Sequence, residues 1–287
     1  MAIDLHVHSN ASDGAKTPRE LVAEAARMGL LAISITDHDT VAGQAAGQAA
    51  GVEFGVQVIP GIEISADIRQ AEAHILGYYI DYASDELQAL THRLIQGRVR
   101  RGRQMFDLLR DHAIKLDWDE VIKGASPEGF IGRGHLFRLM IAKGYVPEDK
   151  SREMFLKYFA KDGLAYVEHF YITPAEAIRA IRQAGGVPVL AHPGRMNDDG
   201  AIYGLVKEGI MGIEVFYPSH TPQQEAHYLA MARQLGLIAT GGTDYHGHVG
   251  DRGVSMGGCS PPEEVLGQLW EAATKVRAGK PRQPSAH

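Results

Sequence analysis

The chain has 287 residues, room for one large α/β domain with an insertion or for two modest domains, and at that size a core forms without disulfide staples. Apolar residues make up 45% and charged residues 22%, which excludes a disordered or fibrous chain, and the single cysteine, Cys259, excludes a disulfide framework. The net charge of −6 excludes a global pull toward nucleic acid, yet residues 84–165 carry 15 of the 29 Lys and Arg against 12 acids, so an acidic body surrounds a basic insert, a combination suited to cations plus an anionic substrate.

Short β-branched runs alternate with helical patterns along the chain. The expected strands are Ile3–Val7, Ala32–Thr36, Gln57–Pro60, His74–Tyr79, Val187–Ala191, Gly212–Phe216 and Leu237–Thr240. A helix over Pro18–Met28 opens with Thr17 as N-cap, Pro18 at the first helical position and Glu20 at the third, and Gly29 ends it. Pro174–Ala184 repeats that grammar between Thr173 and Gly185; Gln223–Leu235 and Pro262–Val276 follow, before the polar tail KPRQPSAH. Such alternation predicts a parallel sheet or barrel. The rhythm breaks between Ser84 and Ala165, where helices are expected over Asp85–His112, Trp118–Gly124, Arg133–Lys143 and Ser151–Phe159. Residues 1–83 and 166–287 are therefore expected to form an α/β barrel, and 84–165 a helical insertion domain for substrate recognition. No stretch reaches the ~18 apolar residues of a membrane span, and MAIDLHVH runs into a strand without a signal peptide, so the expected location is cytoplasmic.

Strand side chains alternate between faces, so His6 and His8 of DLHVH point the same way and form a ready clamp for a metal ion. Asp13 follows in SNASDG. His38 lies in TDHD after the second strand, Glu63 just past the third, and His74 at the mouth of the fourth. His192 ends VPVLAH, and Asp244 with His246 ends LIATGGTDYH. Taken singly, each is a polar strand cap. Together they put histidine or acid at the C-terminal end of nearly every strand, the rim that carries active sites in parallel barrels. Three carboxylates there repel one another unless cations neutralise them. Nine N/O donors without a thiolate suit two or three Mn²⁺, Zn²⁺ or Fe²⁺ ions, with Glu63 as a bridge.

The segments DLHVHSNASDG, ITDHDTVAG, GIEIS, HILGYYID, VPVLAHPGR and GTDYHG resemble, in order, the polymerase-and-histidinol-phosphatase (PHP) family. The resemblance implies a distorted (β/α)7 barrel with up to three divalent ions, manganese first. It implies that His6, His8, Glu63 and Asp244 hold one ion, that Glu63 bridges to a second with His74 and His192, and that Asp13, His38 and His246 hold the third. IGRGH, LAYVEHF, EVFYPSH and the insertion resemble the TrpH/YciV-like subgroup, although Gly134 stands where its motif carries proline.

That resemblance implies a metal-dependent phosphoesterase. It would remove the 3′-phosphate of nucleoside 3′,5′-bisphosphates and trim short 5′-phosphorylated RNA from the 5′ end, with no membrane and no obligate protein partner. Water would attack the phosphorus in line, and His246 or Asp13 would protonate the leaving 3′ oxygen. Lys123, Ser126, Arg133 and His135, with the glycines of KGASPEGFIGRGH, are expected to bind the 5′-phosphate. Arg195 reaches the transferred phosphoryl group or pairs with Asp198, and His220 faces the substrate or is a loop histidine. Arg93, Arg98, Arg100, Arg101, Arg103 and Arg110 read as the solvated face of an amphipathic helix. The competing readings are a histidinol-phosphate-type phosphatase of small metabolites and a non-catalytic, metal-stabilised nucleic-acid-binding module.

Overall fold

The computed structural model describes residues 2–68, 71–126, 129–168, 172–196, 198–248 and 254–279. The tail KPRQPSAH, His169, and Pro127 and Glu128 of the glycine-rich segment lie outside them. Seven strands form one sheet in sequence order. They are β1 (Ile3–Val7), β2 (Ala32–Ile35), β3 (Gln57–Ile68), β4 (Ala71–Tyr78), β5 (Val187–Leu190), β6 (Gly212–Phe216) and β7 (Ile238–Gly241). Past β7, Tyr245 bridges Val7, and His8 N–H donates to the Tyr245 carbonyl at 2.9 Å. The last strand thus approaches the first and the sheet curls into a nearly closed barrel.

Each expected strand is present, but the all-parallel expectation needs correction. β3–β4 and β4–β5 are antiparallel, while the other pairs are parallel. The cause is local. β3 does not stop at Pro60: it pairs with β2 up to Ile35–Pro60 and with β4 from Gly61 onward. Only two residues separate β3 from β4 in sequence, far short of the dozen a parallel crossover needs. Gly61 sits at the change of partner, where a Cβ would lie 2.3 Å from Ser34 Oγ.

Ten helices are described: α1 (Pro18–Arg27), α2 (Gln44–Phe54), α3 (Asp85–Asp111), α4 (Trp118–Gly124), α5 (Arg133–Ala142), α6 (Ser151–Phe159), α7 (Pro174–Gln183), α8 (Asp199–Glu208), α9 (Pro222–Leu235) and α10 (Glu264–Ala278). Both Thr-x-x-Glu capping boxes form as read, at Thr17 and Thr173. Two helices were not foreseen. α2 is spelled QAAGQAAGVEF, in which alanine and glutamine favour a helix and two glycines oppose it. Its glycines serve packing, because a Cβ at Gly47 would meet Ile35 at 2.7 Å and one at Gly51 would meet Val56 O at 2.8 Å. α8 is capped by Asp198, whose carboxylate accepts from Ala201 N–H, so Asp198 is occupied there.

The 27-residue helix α3 joins two apolar clusters. Leu87, Leu90 and Leu94 pack with Ile62, Ile64, Ile178 and Ile181 against the barrel. Met105, Phe106 and Leu109 pack with Leu136, Phe137, Met140 and Phe159 of α5 and α6. Each such buried side chain is worth about 1.5–3 kcal/mol, so α3 is held at both ends. Its middle, around Arg98 and Arg101, overlooks the barrel mouth. Among the described residues no helix is long and apolar enough to cross a membrane.

Candidate metal centre

β1 buries Ile3, Leu5 and Val7 on one face and His6 and His8 on the other, all fully. The strand ends carry the remaining donors to the same place. His38 follows β2, His192 follows β5, and Asp244 and His246 follow β7. Glu63 and His74 lie within β3 and β4 rather than beyond or at the mouth of a strand, because those strands are longer than expected. Eight side chains from residue 6 to residue 246 converge as three overlapping donor sets, and His192 joins them beside Glu63 and His74.

In the first set, His8 Nε2 lies 3.1 Å from His6 Nε2, 3.3 Å from Glu63 Oε2 and 3.0 Å from Asp244 Oδ1. His6 Nε2 is 3.4 Å from both carboxylates. A tetrahedron around an ion with ~2.1 Å bonds has edges of about 3.4 Å, so four donors already stand near the spacing a cation imposes. On the other oxygen of Glu63, Oε1 is 2.8 Å from His74 Nδ1 and 3.2 Å from His192 Nε2, and those nitrogens are 3.3 Å apart. His38 Nδ1 also approaches Glu63, at 2.9 Å from Oε2. The third set is looser: Asp13 Oδ1 is 3.2 Å from His246 Nε2 and 3.8 Å from His8 Nδ1, and Asp13 Oδ2 is 4.0 Å from His38 Nε2.

The chemistry of the cluster fits divalent cations. His8 Nδ1, His38 Nδ1 and Glu63 Oε2 are buried without a well-formed hydrogen bond, although His38 Nδ1 and Glu63 Oε2 lie 2.9 Å apart, a costly state for donor atoms gathered this closely. Burial opposes ionisation of Glu63, yet the charges of His74, His38 and His6 outweigh it and hold the carboxyl well below its usual range. Asp13 and Asp244 behave alike, with His246 and His6 respectively as the main opposing charges. Conversely, burial lowers the His6 pKa but Glu214, Glu63 and Asp244 raise it further, so it ends well above normal. His246 is pushed up to about 10, Asp13 overcoming burial. Without metal, ring protons take the place of cations. His192 and Asp244 occupy left-handed backbone, at φ 29° and 53°, a strain that clusters at functional sites.

Supporting residues hold the donors in place, and several were missed from the sequence. Glu214, fully buried in β6, accepts from His6 Nδ1–H at 2.9 Å and from His192 N–H at 2.8 Å. That bond fixes the tautomer that leaves His6 Nε2 free to bind. A lone carboxylate inside the apolar run GIEVF was the available signal. Replacing Glu214 by glutamine is expected to weaken metal binding by about 10–100-fold, read by chelator competition, with activity recovering at high metal; unchanged affinity would refute this role. Tyr217 O–H donates to Asp244 Oδ2 at 2.8 Å. Asp37 accepts from Ser9 N–H, Ser9 O–H and Ser12 O–H, shaping the loop that carries Asp13. His248 places Nε2 2.6 Å from the Asp13 carbonyl.

A cleft of ≈ 300 Å³ opens above the donors, lined by Asp13, His38, His74, Asp244 and His246 on the floor and by Arg98, Arg101, Arg133 and Arg195 on the walls. This corrects the reading of α3 as a wholly solvated basic face. Arg103 and Arg110 do pair with Asp107 on the surface. Arg98 and Arg101, three residues apart and so on one helix face, turn inward: Arg98 Nε donates to Asp39 at 2.6 Å and its guanidinium lies 4.3 Å from the Phe130 ring centre, and Arg101 Nε donates to Val167 O at 2.8 Å.

The substrate-binding expectations divide. Arg133 lines the cleft at the N-terminus of α5, beside Gly132 and Gly134. Lys123 is exposed and does not line it. The Ser126 hydroxyl instead accepts from Phe130 N–H at 2.9 Å, closing a turn. His135 Nδ1 accepts from Gly132 N–H, and burial, then Arg138, lower its pKa to about 4, which leaves a neutral cap. His220 is satisfied within the protein, donating from Nδ1 to Val215 O and accepting at Nε2 from Gly194 N–H. It is a loop histidine and is absent from the cleft lining. Arg195 lies 3.6 Å from Asp244 and reaches Tyr217 O rather than Asp198.

A barrel rim that gathers imidazoles and carboxylates beneath arginine walls is the arrangement of a metal-dependent phosphoric ester hydrolase. Residues 4–169 match the model of the PHP domain, and the chain belongs to that family of metal-dependent phosphoesterases. It is 33% identical over 252 residues to a phosphoribosyl 1,2-cyclic phosphate 1,2-diphosphodiesterase of Eggerthella lenta, covering 87% of this chain and 96% of that one. It is 32% identical over 273 residues to a 3′,5′-nucleoside bisphosphate phosphatase of Chromobacterium violaceum, covering 93% and 95%. It is 32% identical over 257 residues to the 5′-3′ exoribonuclease Rnm of Escherichia coli, covering 85% and 84%. Among solved structures, a Bifidobacterium adolescentis protein provisionally assigned as a metal-dependent phosphoesterase superposes with a TM-score of 0.86 at 27% identity, over 94% of this chain and 96% of that one. An amidohydrolase from Chromobacterium violaceum with bound sulfate and no metal gives 0.85 at 31%, over 95% and 97%.

Proposed function

We propose that the chain hydrolyses the 3′-phosphate of nucleoside 3′,5′-bisphosphates, giving a 5′-mononucleotide and phosphate. In this reading residues 1–83 and 166–287 supply the chemistry and 84–165 the recognition. The observation that carries it is one cleft with a cation-seeking floor and arginines on its walls. Two sites of opposite character suit a substrate with two phosphates, one attacked and one held.

His6, His8, Glu63 and Asp244, then Glu63 with His74 and His192, and Asp13 with His38 and His246 would hold the cations, for which we propose manganese. Divalent ions there supply Lewis acidity, acidifying water and offsetting phosphoryl charge. The residues of the chain do the rest. Arg195 aligns the reacting phosphoryl group. Arg101 and Arg133 grip the 5′-phosphate, which a guanidinium fork matches geometrically. The N-terminus of α5, where Arg133 sits, adds its positive dipole end on the same side. A water oxygen bonds to phosphorus as the P–O3′ bond breaks; with His246 and Asp13 holding no ion, O3′ takes its proton from His246, which Asp13 holds at 3.2 Å, and with a third ion on that pair O3′ takes the proton that the attacking water gives up.

The purified, manganese-loaded protein is expected to favour a 3′,5′-bisphosphate over the matching 3′-monophosphate by ~100-fold in kcat/KM, as expected for a charge-assisted phosphate clamp. Arg101→Ala and Arg133→Ala would each narrow that gap while leaving the monophosphate rate nearly unchanged. Equal phosphate release from bisphosphate, 5′-monophosphate and histidinol phosphate would overturn the proposal.

A further inference from the structure

A second cleft, of ≈ 720 Å³, meets the same donor cluster. Arg195, Asp244 and His246 line both clefts, whereas Arg152, Tyr217 and Tyr245 line only the second. The two differ in character. The first is the smaller and has three further arginines, Arg98, Arg101 and Arg133, in its wall. The second is more than twice as large, and among the described residues its arginines are Arg195 and Arg152. Arg195 is already engaged with Asp244 and Tyr217. Arg152 projects from the first turn of α6, is exposed, and has no ion-pair partner among the described residues.

A bisphosphate does not require this second space. Its scissile phosphorus carries only small oxygens besides O3′, and the nucleoside fills the first cleft. An oligonucleotide differs in one respect: the attacked phosphorus carries the O5′ of a further nucleotide, which must leave the cluster on the side opposite the held 5′-phosphate. The second cleft starts from Arg195, Asp244 and His246 and shares none of the first cleft's other arginines, and ≈ 720 Å³ is ample for a nucleotide-sized group. We infer that the second cleft receives the nucleotide 3′ to the scissile bond, and that Arg152 binds its next phosphate as the residue that sets specificity for short 5′-phosphorylated oligonucleotides. The inference builds on the proposed bisphosphate chemistry, since the same P–O3′ bond breaks, O3′ takes the proton, and the phosphoryl group departs on the shortened strand.

The test compares manganese-loaded wild type, Arg152→Ala, Arg152→Glu and Arg152→Lys on a 3′,5′-bisphosphate and on a 5′-phosphorylated trinucleotide. For the trinucleotide, kcat/KM is expected to fall about tenfold in the alanine variant and further in the glutamate variant, chiefly through KM, with lysine restoring part of the loss. The bisphosphate rate should stay within about twofold. Anisotropy of a labelled trinucleotide on the chelator-treated protein should show the same order, and the alanine variant should lose about 0.7 from the slope of log affinity against log salt. Equal losses on both substrates, or none on either, would overturn the assignment. So would a trinucleotide that wild type ignores while turning over the bisphosphate. If neither substrate reacts, the underlying bisphosphate reading fails instead.

Discussion

Glu63→Gln is expected to abolish phosphate release, by on the order of 10³–10⁵-fold in kcat, and to lower bound metal by at least one ion per chain. Glu63 is the single carboxylate whose two oxygens serve different donor sets, Oε2 toward His6 and His8 and Oε1 toward His74 and His192. An amide keeps the shape but offers one oxygen, and turns its N–H₂ toward whichever set loses. Because a rival explanation is simple unfolding, the variant should be compared with wild type in its metal-free form. There the amide forfeits the stabilising contribution of the carboxylate but leaves the packing of Ile62 and Ile64 untouched, so the variant should melt below wild type yet still in one cooperative transition. Metal analysis after desalting, paired with the rate on a 3′,5′-bisphosphate, decides the matter. A variant with a full complement of metal and a rate within tenfold of wild type would show that Glu63 does not bridge. Asp13→Asn is the instructive contrast. Its set is the loosest of the three, with donor separations up to 4.0 Å, so it should cost only the third ion.

Much of this centre could be read from the chain because barrel topology converts strand-end position into spatial proximity. His6 and His8 follow from strand alternation alone, and His38, His192, Asp244 and His246 follow from the rule that C-terminal strand ends share one rim. Glu63 and His74 were found as residues but misplaced within their strands. The reason is physical: β2 ends at Ile35 while β3 runs on past Pro60, and a two-residue connection forces β4 to run back along β3. What failed was whatever depends on side-chain direction across separate elements. Arg98 and Arg101 belong to a helix whose arginines look alike in sequence, and only its docking at both ends decides which of them face the cleft. Ser126 and His220 carry groups suited to a phosphate, yet local backbone groups claim them first. Glu214 was legible in principle, since a carboxylate within an apolar strand must find a partner or forfeit its solvation.

The acid–base state of the centre leads to the second large effect, a pH dependence of stability that exists only without metal. His246 has a folded-state pKa of about 10 against an ordinary 6.5, burial being outweighed by Asp13 and Asp244. A raised pKa contributes stability that is fully present below the unfolded value and is lost as pH climbs through the folded one. The metal-free chain should therefore weaken between about pH 6.5 and pH 10. With the side chain 22% exposed, water screens the pair, and the loss is on the order of 2 kcal/mol, or a fall of about 5 °C in Tm. The partner carboxylates give the complementary limb. Asp13, Glu63 and Asp244 are depressed, so their contribution is present above the ordinary carboxylate range and disappears as pH falls through the depressed values. Cations that replace the ring protons remove the alkaline limb, because the carboxylates are then neutralised by groups that do not titrate. Binding must release those protons, so affinity should rise with pH across the same window. Melting curves from pH 6.5 to 10, with and without manganese and for His246→Gln, separate the possibilities. The slope should be present in metal-free wild type, flattened by metal and reduced by the substitution to the share that the raised His6 leaves. A metal-free wild type whose Tm is level across that range, or a slope undiminished in His246→Gln, would mean that the proton on His246 is not what balances Asp13.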